Sequence, residues 1–305
     1  MPEAYTHVRI ARAAREQLRQ SGADAADTAA YELGANGPDP LFCYHVLSKK
    51  PYPMAALGER MHTQQCGRFL RALIFRAYSP AQRSYVLGFL THYAADSTMH
   101  PYIAALTAEG GPFARREGHG LAEVALDTYF HEADGLGRTV AADDCVPVAG
   151  PGALADITAL LHAALLEVYG EDVPAEYLAD AFHDLRWYHR YIFPSPHGGK
   201  KAVVWLAERL LLHRPGYGLS HMTPARQPKE GYPEEWTDPY SAVTVQAGPD
   251  ALCRASADKA AHYQKAACAY WQGAVSKEDV AVAIGDKSYA TGLLSEAEEA
   301  APPAT

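Results

Sequence analysis

The chain has 305 residues, of which 48% are hydrophobic, so it is long enough to bury a sizeable core. Its 27 Lys and Arg are outnumbered by 36 Asp and Glu, and a net charge of −9 disfavours a nucleic-acid-binding protein. The five cysteines form an odd set without a C-x-x-C pair, which indicates reduced thiols and a reducing compartment.

The first twenty residues carry charged side chains every few positions, so they lack the apolar run of a signal peptide. Later segments contain no run of about 18 uncharged apolar residues, which is the length that a membrane span needs. We therefore expect a soluble, cytoplasmic protein without a membrane span.

Apolar residues recur at helical spacing along most of the chain, and alternating runs of β-branched residues are nearly absent. The sequence therefore predicts an all-α fold, a single-domain helical bundle of about nine helices over residues 1–293. No glycine-rich phosphate-binding motif follows a strand, so no nucleotide-binding fold is expected. The predicted helices cover residues 7–20, 24–33, 54–77, 81–99, 117–132, 151–169, 174–192, 199–213 and 250–285.

Residues 214–240 differ from the rest because Pro, Gly and aromatic residues dominate and no periodicity is visible. Loops of this length are typically functional lids or disordered segments, and the aromatic residues favour order. A substrate-facing loop and a packed surface loop both remain open at this point. Residues 294–305 are poor in hydrophobic side chains and rich in Glu, Ala and Pro, which predicts a disordered tail.

The triple His92, Asp96 and His100 is the strongest chemical signal. For this composition, chance gives a His, an acidic residue and a second His at four-residue steps about 0.08 times. Residues at these steps lie on one helical face, so two imidazoles and a carboxylate can converge on one region. His119 and Glu123 repeat the spacing in a later helix.

Asp96 is the only formally charged residue between Arg83 and Glu109, in a segment that is apolar on nearly all sides. A carboxylate that is removed from water must meet a cation or several hydrogen bonds. Asp39 presents the same problem in the Gly- and Pro-rich turn GANGPDP. A bound metal ion would satisfy both carboxylates.

Other residues have less specific surroundings. His62 lies in an apolar helix and His7 near a helix start, and each taken singly could equally be a satisfied core histidine. Cys66 is either a thiolate ligand or an inert buried thiol. Asp127 and His131, in register with Glu123, are candidates to orient ligands. Imidazole nitrogens with carboxylate oxygens form a set that suits zinc, with iron or manganese as alternatives.

Together these residues resemble the zinc-dependent phospholipase C family, an all-helical fold with three metal ions that is related to the fungal single-strand nucleases. The resemblance spans about residues 7–293, and its middle segments are the most specific. The matching segments are YTH, GANGPDP, Met61-His62, GFLTHYAADSTMHP, His119-x-x-x-Glu123 and IGDKSYATGL.

The resemblance implies a buried cluster of two to three zinc ions. One ion would be held by Asp39, His62, His92 and Asp96. Asp96 would bridge to a second ion that also binds His7. A third ion would be held by His100, His119 and Glu123. Secreted members also use a mature N-terminal Trp as a ligand, whereas this chain starts Met1-Pro2 and has a shorter gap from Asp96 to His100.

The implied activity is metal-dependent hydrolysis of phosphate esters by a phospholipase C-like phosphodiesterase that uses a metal-bridging hydroxide. Asp39 would be the catalytic residue, accepting the proton of the attacking water, and the third ion would stabilise the departing alkoxide. The expected substrate is a small phosphoester or a phospholipid. Tyr232, Trp236 and Tyr240 either contact its apolar chain or choline-like cation, or simply pack.

Two other functions compete with this hypothesis. A non-catalytic, metal-stabilised binding or scaffold protein would keep the ligands for folding. A single-strand nuclease is disfavoured, because the acidic balance of the chain does not suit a nucleic-acid substrate.

Overall fold

The computed structural model describes residues 4–46, 53–212 and 218–294. These residues form thirteen α-helices and two short strands, so the predicted all-α class is confirmed, with more helices than the nine predicted. The helices are α1 (Ala4–Gln20), α2 (Thr28–Gly34), α3 (Pro40–Cys43), α4 (Met54–Thr63), α5 (Cys66–Arg76), α6 (Pro80–Thr107), α7 (Gly118–Ala133), α8 (Ala142–Cys145), α9 (Pro151–Tyr169), α10 (Ala175–Trp187), α11 (Gly199–Ala207), α12 (Pro249–Trp271) and α13 (Lys277–Ile284).

The long helix α6 is the centre of the fold and contacts α1, α2, α5, α7, α9 and α12. It begins with a capping box, in which the Ser79 hydroxyl accepts from the Gln82 N–H and the Gln82 side chain accepts from the Ser79 N–H. The prediction ended this helix near Pro101, but the helix continues through that residue to Thr107. Proline removes one helical hydrogen bond, and burial of the surrounding turns on most sides offsets that loss.

The extra helices come from breaks that hydrophobic periodicity does not reveal. The predicted helix 54–77 divides into α4 and α5 at Gln65, which has a left-handed φ of 54°. The predicted helix 250–285 divides into α12 and α13, and Ser276 caps the second of them. Helices α3 and α8 have four residues each, which is too short to show a period.

Two helices end in a widened turn: a π-helical turn, Tyr188–Ile192, follows α10, and a second, Glu208–Leu212, follows α11. The aromatic-rich segment is ordered where it is described. It holds a 3₁₀ turn, Gly218–His221, and the strand β1 (Glu235–Thr237), which pairs antiparallel with β2 (Thr244–Gln246). Residues 214–217 of that segment, and 295–305 of the predicted disordered tail, lie outside the described residues.

Helix α9 is, among the described residues, the one helix that is long and apolar enough to cross a membrane by length and composition. It carries Asp156 and Glu167, and 44% of its most apolar window is buried. It packs against α5, α6 and α10, as a helix in the core of a folded protein does.

Candidate metal centre

Four helices and one turn bring the eight predicted ligands together. The side chains come from α1, α4, α6, α7 and the turn before α3, and they form three groups. Within each group the potential ligand atoms lie within 4.8 Å of one another. The groups are His7, His92 and Asp96; Asp39, His62 and His92; and His100, His119 and Glu123.

Asp96 lies at the centre of the cluster. Its Oδ2 is 3.0 Å from His92 Nε2 and 3.5 Å from His62 Nε2. Its Oδ1 is 3.3 Å from His7 Nε2 and 3.6 Å from His100 Nε2. One buried carboxylate therefore touches all three groups.

Asp39 closes the second group from the turn before α3. Its Oδ1 is 3.2 Å from His62 Nε2, and its Oδ2 is 3.5 Å from His92 Nδ1. Gly37 in the same turn has a φ of 53°, and a β-carbon there would lie 2.3 Å from the His92 ring. Only glycine lets the turn pass so close to that ring and still present Asp39 to it.

The third group opens to solvent. Glu123 Oε1 lies 2.8 Å from His119 Nε2 and 3.5 Å from His100 Nε2. Glu123 is buried, whereas the His119 side chain is 54% exposed. This group therefore links the buried cluster to the surface.

Backbone carbonyls orient three of the imidazoles. His62 Nδ1 lies 2.7 Å from the Gly58 oxygen, and His92 Nδ1 lies 3.1 Å from the Ala35 oxygen. His100 Nδ1 lies 2.9 Å from the oxygen of Tyr289. Since a carbonyl only accepts, each Nδ1 donates, and all three Nε2 atoms face Asp96 as metal ligands would. Asp39 lies on the Nδ1 side of His92.

Several of these buried atoms have no hydrogen-bond partner among the described residues: both ring nitrogens of His7, Nε2 of His92 and Oδ2 of Asp39. A buried polar atom without a partner costs about 1–3 kcal/mol. His7 Nε2 and His92 Nε2 lie 3.3 Å and 3.0 Å from the two oxygens of Asp96, so these polar atoms converge on one carboxylate. Imidazole nitrogens and carboxylate oxygens in this arrangement fit divalent zinc.

Burial and charge shift the pKa values of the cluster in opposite directions. Burial lowers the pKa of His7 to about 4, helped by the neighbouring His92. Burial also lowers the pKa of His100, but Asp96 and Glu123 outweigh it and raise the value to about 9. Burial raises the pKa of Asp96, yet His100 and His92 hold it well below its usual range. Without a cation, Asp96 and Glu123 therefore hold a proton on His100 at neutral pH, whereas the lowered pKa of His7 leaves that ring neutral.

Asp127 anchors the helix that carries His7. Its carboxylate accepts from the Tyr5 N–H at 3.1 Å, the Thr6 N–H at 2.7 Å and the Thr6 hydroxyl at 2.8 Å. Burial raises the pKa of Asp127 to about 7, although these hydrogen bonds oppose the shift. The N–H groups in the first turn of α1 have no acceptor within the helix. The carboxylate accepts from them and so fixes the position of His7.

The closing segment 284–293 orients two ligands through its backbone. The Tyr289 N–H donates to the His62 oxygen at 2.9 Å, and the Tyr289 oxygen receives His100 Nδ1. Asp286 accepts from the Gly67 N–H at 2.8 Å and ties the segment to α5. The sequence does not predict this role, because a backbone N–H or oxygen is the same in every residue type. The segment IGDKSYATGL was recognised only through the family resemblance.

Two weaker candidates lie outside the three groups. The Cys66 thiol is buried and lies 3.5 Å from the Met61 oxygen, so it packs as a thiol. His131 contacts Asp144 at 3.1 Å and the Gly137 oxygen at 2.7 Å. Neither residue belongs to a ligand group.

A cleft of about 270 Å³ opens onto the cluster. Asp39, His119 and Glu123 line it together with the rings of Phe42 and Tyr240. Two of the three aromatic candidates for substrate contact pack elsewhere in the structure. Trp236 is buried with its ring 5.2 Å from that of Tyr102, and the Tyr232 ring lies 5.4 Å from that of Tyr129.

An all-helical fold with three groups of His and carboxylate side chains along a cleft defines a class of helical metalloprotein. The family model for zinc dependent phospholipase C matches residues 6–170, a stretch that contains all eight candidate ligands. The chain belongs to this family, which supports a metal-dependent, phospholipase-like hydrolase. Neither the curated proteins nor the solved structures contain a match. Because the family match ends at residue 170, the single domain over 1–293 stays a prediction.

Proposed function

We propose that the protein is a phospholipase C-like phosphodiesterase that hydrolyses a small phosphoester or a phospholipid. The observation that carries the proposal is the convergence of imidazole nitrogens and carboxylate oxygens at an open cleft, where both ring nitrogens of His7 and Oδ2 of Asp39 have no hydrogen-bond partner among the described residues. A purely structural metal site is typically closed, whereas a catalytic site keeps an open position. The exposure of His119 beside buried Glu123 provides that opening.

We assign the eight residues as ligands of two to three zinc ions, in the sets that the family resemblance implies. When bound, zinc would supply a water of lowered pKa and would offset charge on the phosphoryl oxygens. The His7 group and the Asp39 group share His92, and Asp96 lies within 3.5 Å of His62 as well as of His7. This sharing supports adjacent ions in these two groups.

The chain's own residues would position the substrate and move the proton. Asp39 lines the cleft, and its Oδ2 makes no hydrogen bond within the described residues, so it can accept a proton from the attacking water. Phe42 and Tyr240 line the same cleft, and the Phe42 ring lies 5.5 Å from that of His62. These rings suit the apolar or quaternary-ammonium part of an ester.

The test is hydrolysis of a chromogenic phosphocholine ester by zinc-loaded protein. We expect Asp39→Asn to lose about 100-fold or more in kcat, which is the range of a general base. Asp172→Asn is the matched control, since its carboxylate is 81% exposed and lies outside the ligand groups. Zinc content, measured in both variants, separates loss of the ion from loss of the base.

Full activity of Asp39→Asn would remove Asp39 from the chemistry. Zinc-loaded wild-type protein that turns over no phosphoester would instead favour the non-catalytic scaffold. Cleavage of single-stranded DNA or RNA with no action on phosphocholine esters would replace the proposed substrate class by nucleic acid.

A further inference from the structure

Exposed large hydrophobic side chains are concentrated on α11 and at the end of α10, two elements that carry none of the eight candidate ligands. Among the described residues, six of the fourteen exposed large hydrophobic side chains fall between residues 187 and 210. Each of them is between 42% and 67% exposed. They are Trp187, Tyr191, Val203, Trp205, Leu206 and Leu210. We call these six residues the apolar surface.

One side of helix α11 forms part of the apolar surface. None of the described residues of α11 is buried. Val203, Leu206 and Leu210 follow one another at helical spacing and are exposed. On the opposite side Val204 lies against Gly218, whose N–H donates to the buried Glu208. The helix therefore packs by its Val204 side and leaves its more apolar side in solvent.

The two parts of the apolar surface are tied together by Lys200. Its ammonium donates to the oxygens of Tyr191 at 2.7 Å and Pro194 at 2.6 Å. These bonds hold the start of α11 at the end of the turn that carries Tyr191, whose ring lies 6.0 Å from that of Trp187. Lys200 therefore joins the start of α11 to the turn that follows α10.

The charge of this region is opposite to that of the whole chain. Between residues 186 and 210 there are five Lys and Arg and a single acidic residue, the buried Glu208, whereas the chain carries −9. One of the five, Arg186, is paired with Asp143. Two of the cations are exposed among the rings. The Arg190 guanidinium lies 5.7 Å from the Tyr191 ring centre, and that of Arg209 lies 5.3 Å from the Trp205 ring centre.

We propose that the apolar surface binds the interface of a phospholipid bilayer that contains anionic lipids. Trp and Tyr at the boundary, aliphatic side chains between them and surrounding Lys and Arg are the features of interfacial helices. Negatively charged headgroups complement the exposed Arg190 and Arg209. A second copy of the chain fits less well, because a twofold contact would place these like charges opposite one another.

A single turn of the chain connects the apolar surface with a helix of the metal centre. The 3₁₀ turn Gly218–His221 contacts α11 on one side and α7 on the other. Gly120 of α7 packs against this turn, since a β-carbon on it would lie 3.3 Å from the Ser220 hydroxyl. His119 directly precedes Gly120 in the chain. Membrane binding here would therefore bring α7, which carries His119 and Glu123, near the lipid headgroups. The binding itself does not depend on the proposed hydrolysis.

The experiment is co-sedimentation of the zinc-loaded full chain with vesicles of phosphatidylcholine and phosphatidylglycerol. We expect the triple variant Trp205→Ser, Leu206→Ser, Leu210→Ser to bind at least about tenfold more weakly than wild type. Val282→Ser is the matched control, because Val282 is 85% exposed on a distant helix. Arg190→Glu with Arg209→Glu should weaken binding chiefly at low salt, where surface charges are least screened.

Hydrolysis of a soluble phosphocholine ester, measured in the same variants, should stay at the wild-type rate. Failure of vesicle binding can thus be told apart from failure of the proposed activity. Wild-type protein that ignores the vesicles, or a triple variant that binds them equally well, overturns the proposal. A wild-type dimer that becomes monomeric in the triple variant, with no vesicle binding, would instead make this surface a contact between copies.

Discussion

Gly37 shows how a single residue constrains the cluster. Its φ of 53° suits glycine, and a β-carbon there would enter the His92 ring at 2.3 Å. We expect Gly37→Ala to lower the free energy of unfolding by about 1–3 kcal/mol, since both backbone strain and the displaced ring contribute. Zinc retention should fall with it. Thermal unfolding followed by circular dichroism, together with the zinc content, measures both effects.

Gly135→Ala separates the two contributions. Gly135 has a φ of 78°, and a β-carbon there would meet no atom within 4 Å. This control carries the backbone strain without a ring contact. If both variants melt at the same temperature and retain equal zinc, the approach of Gly37 to His92 does not position that ligand.

We expect His100, as a candidate zinc ligand, to make zinc binding sensitive to pH. Burial lowers its pKa, but Asp96 and Glu123 raise it more, so the metal-free protein holds a proton on His100 up to about pH 9. A zinc ion must displace that proton, so apparent affinity should rise with pH through neutrality, by about tenfold per unit for each proton released. Titration calorimetry at pH 7 in buffers of different ionisation enthalpy counts the protons. Affinity that is constant from about pH 6 to about pH 8 would contradict this expectation.

At the scale of elements, the anchoring of α1 decides whether His7 reaches the other ligands. Asp127 accepts three hydrogen bonds from Tyr5 and Thr6 at the helix start. We expect Asp127→Ala to cost about 2 kcal/mol of unfolding free energy, as the loss of a buried helix cap does. If His7 is a ligand as proposed, the variant should also lose one ion, which metal analysis would detect as about one zinc fewer per chain.

Asp127→Asn is the informative comparison for this anchor. The amide keeps one acceptor oxygen in nearly the same shape, so zinc content should stay closer to that of wild type. An alanine variant with full zinc content and an unchanged melting temperature would show that α1 is held in place by its packing alone.

The elements differ in how far sequence could predict them. The boundaries of α9 match the prediction 151–169, because Pro151 opens the helix and Gly170 ends it with a left-handed φ of 70°. The predicted end of α6 was wrong. Proline usually ends a helix, so the prediction stopped before Pro101, but contacts with six other helices stabilise two further turns. The division at Gln65 was missed, because apolar spacing continues across it.

For the whole molecule, the cluster joins α1, α4, α6 and α7, so metal binding should stabilise the fold globally. Removal of zinc by a chelator should lower the melting temperature by about 5 °C or more, given about 2.7 kcal/mol per site at 100 times the dissociation constant and about 2–4 °C per kcal/mol. Differential scanning calorimetry measures the shift. Added zinc should restore it, whereas magnesium, which prefers all-oxygen ligands, should not. An unchanged melting temperature after complete chelation would contradict a buried metal cluster.

Local properties of the chain were enough to predict the helical class, from apolar periodicity, and five of the candidate ligands, from their four-residue spacing. Asp39 was predicted from its isolated charge, whereas His7 and His62 became candidates only through the family resemblance. Tertiary structure alone decided that Asp96 lies within 3.6 Å of four imidazoles from three helices, that Tyr289 orients two ligands through its backbone, and that α11 leaves an apolar side in solvent. These features depend on contacts between residues far apart in the chain, and pairwise spacing along one helix carries no information about them.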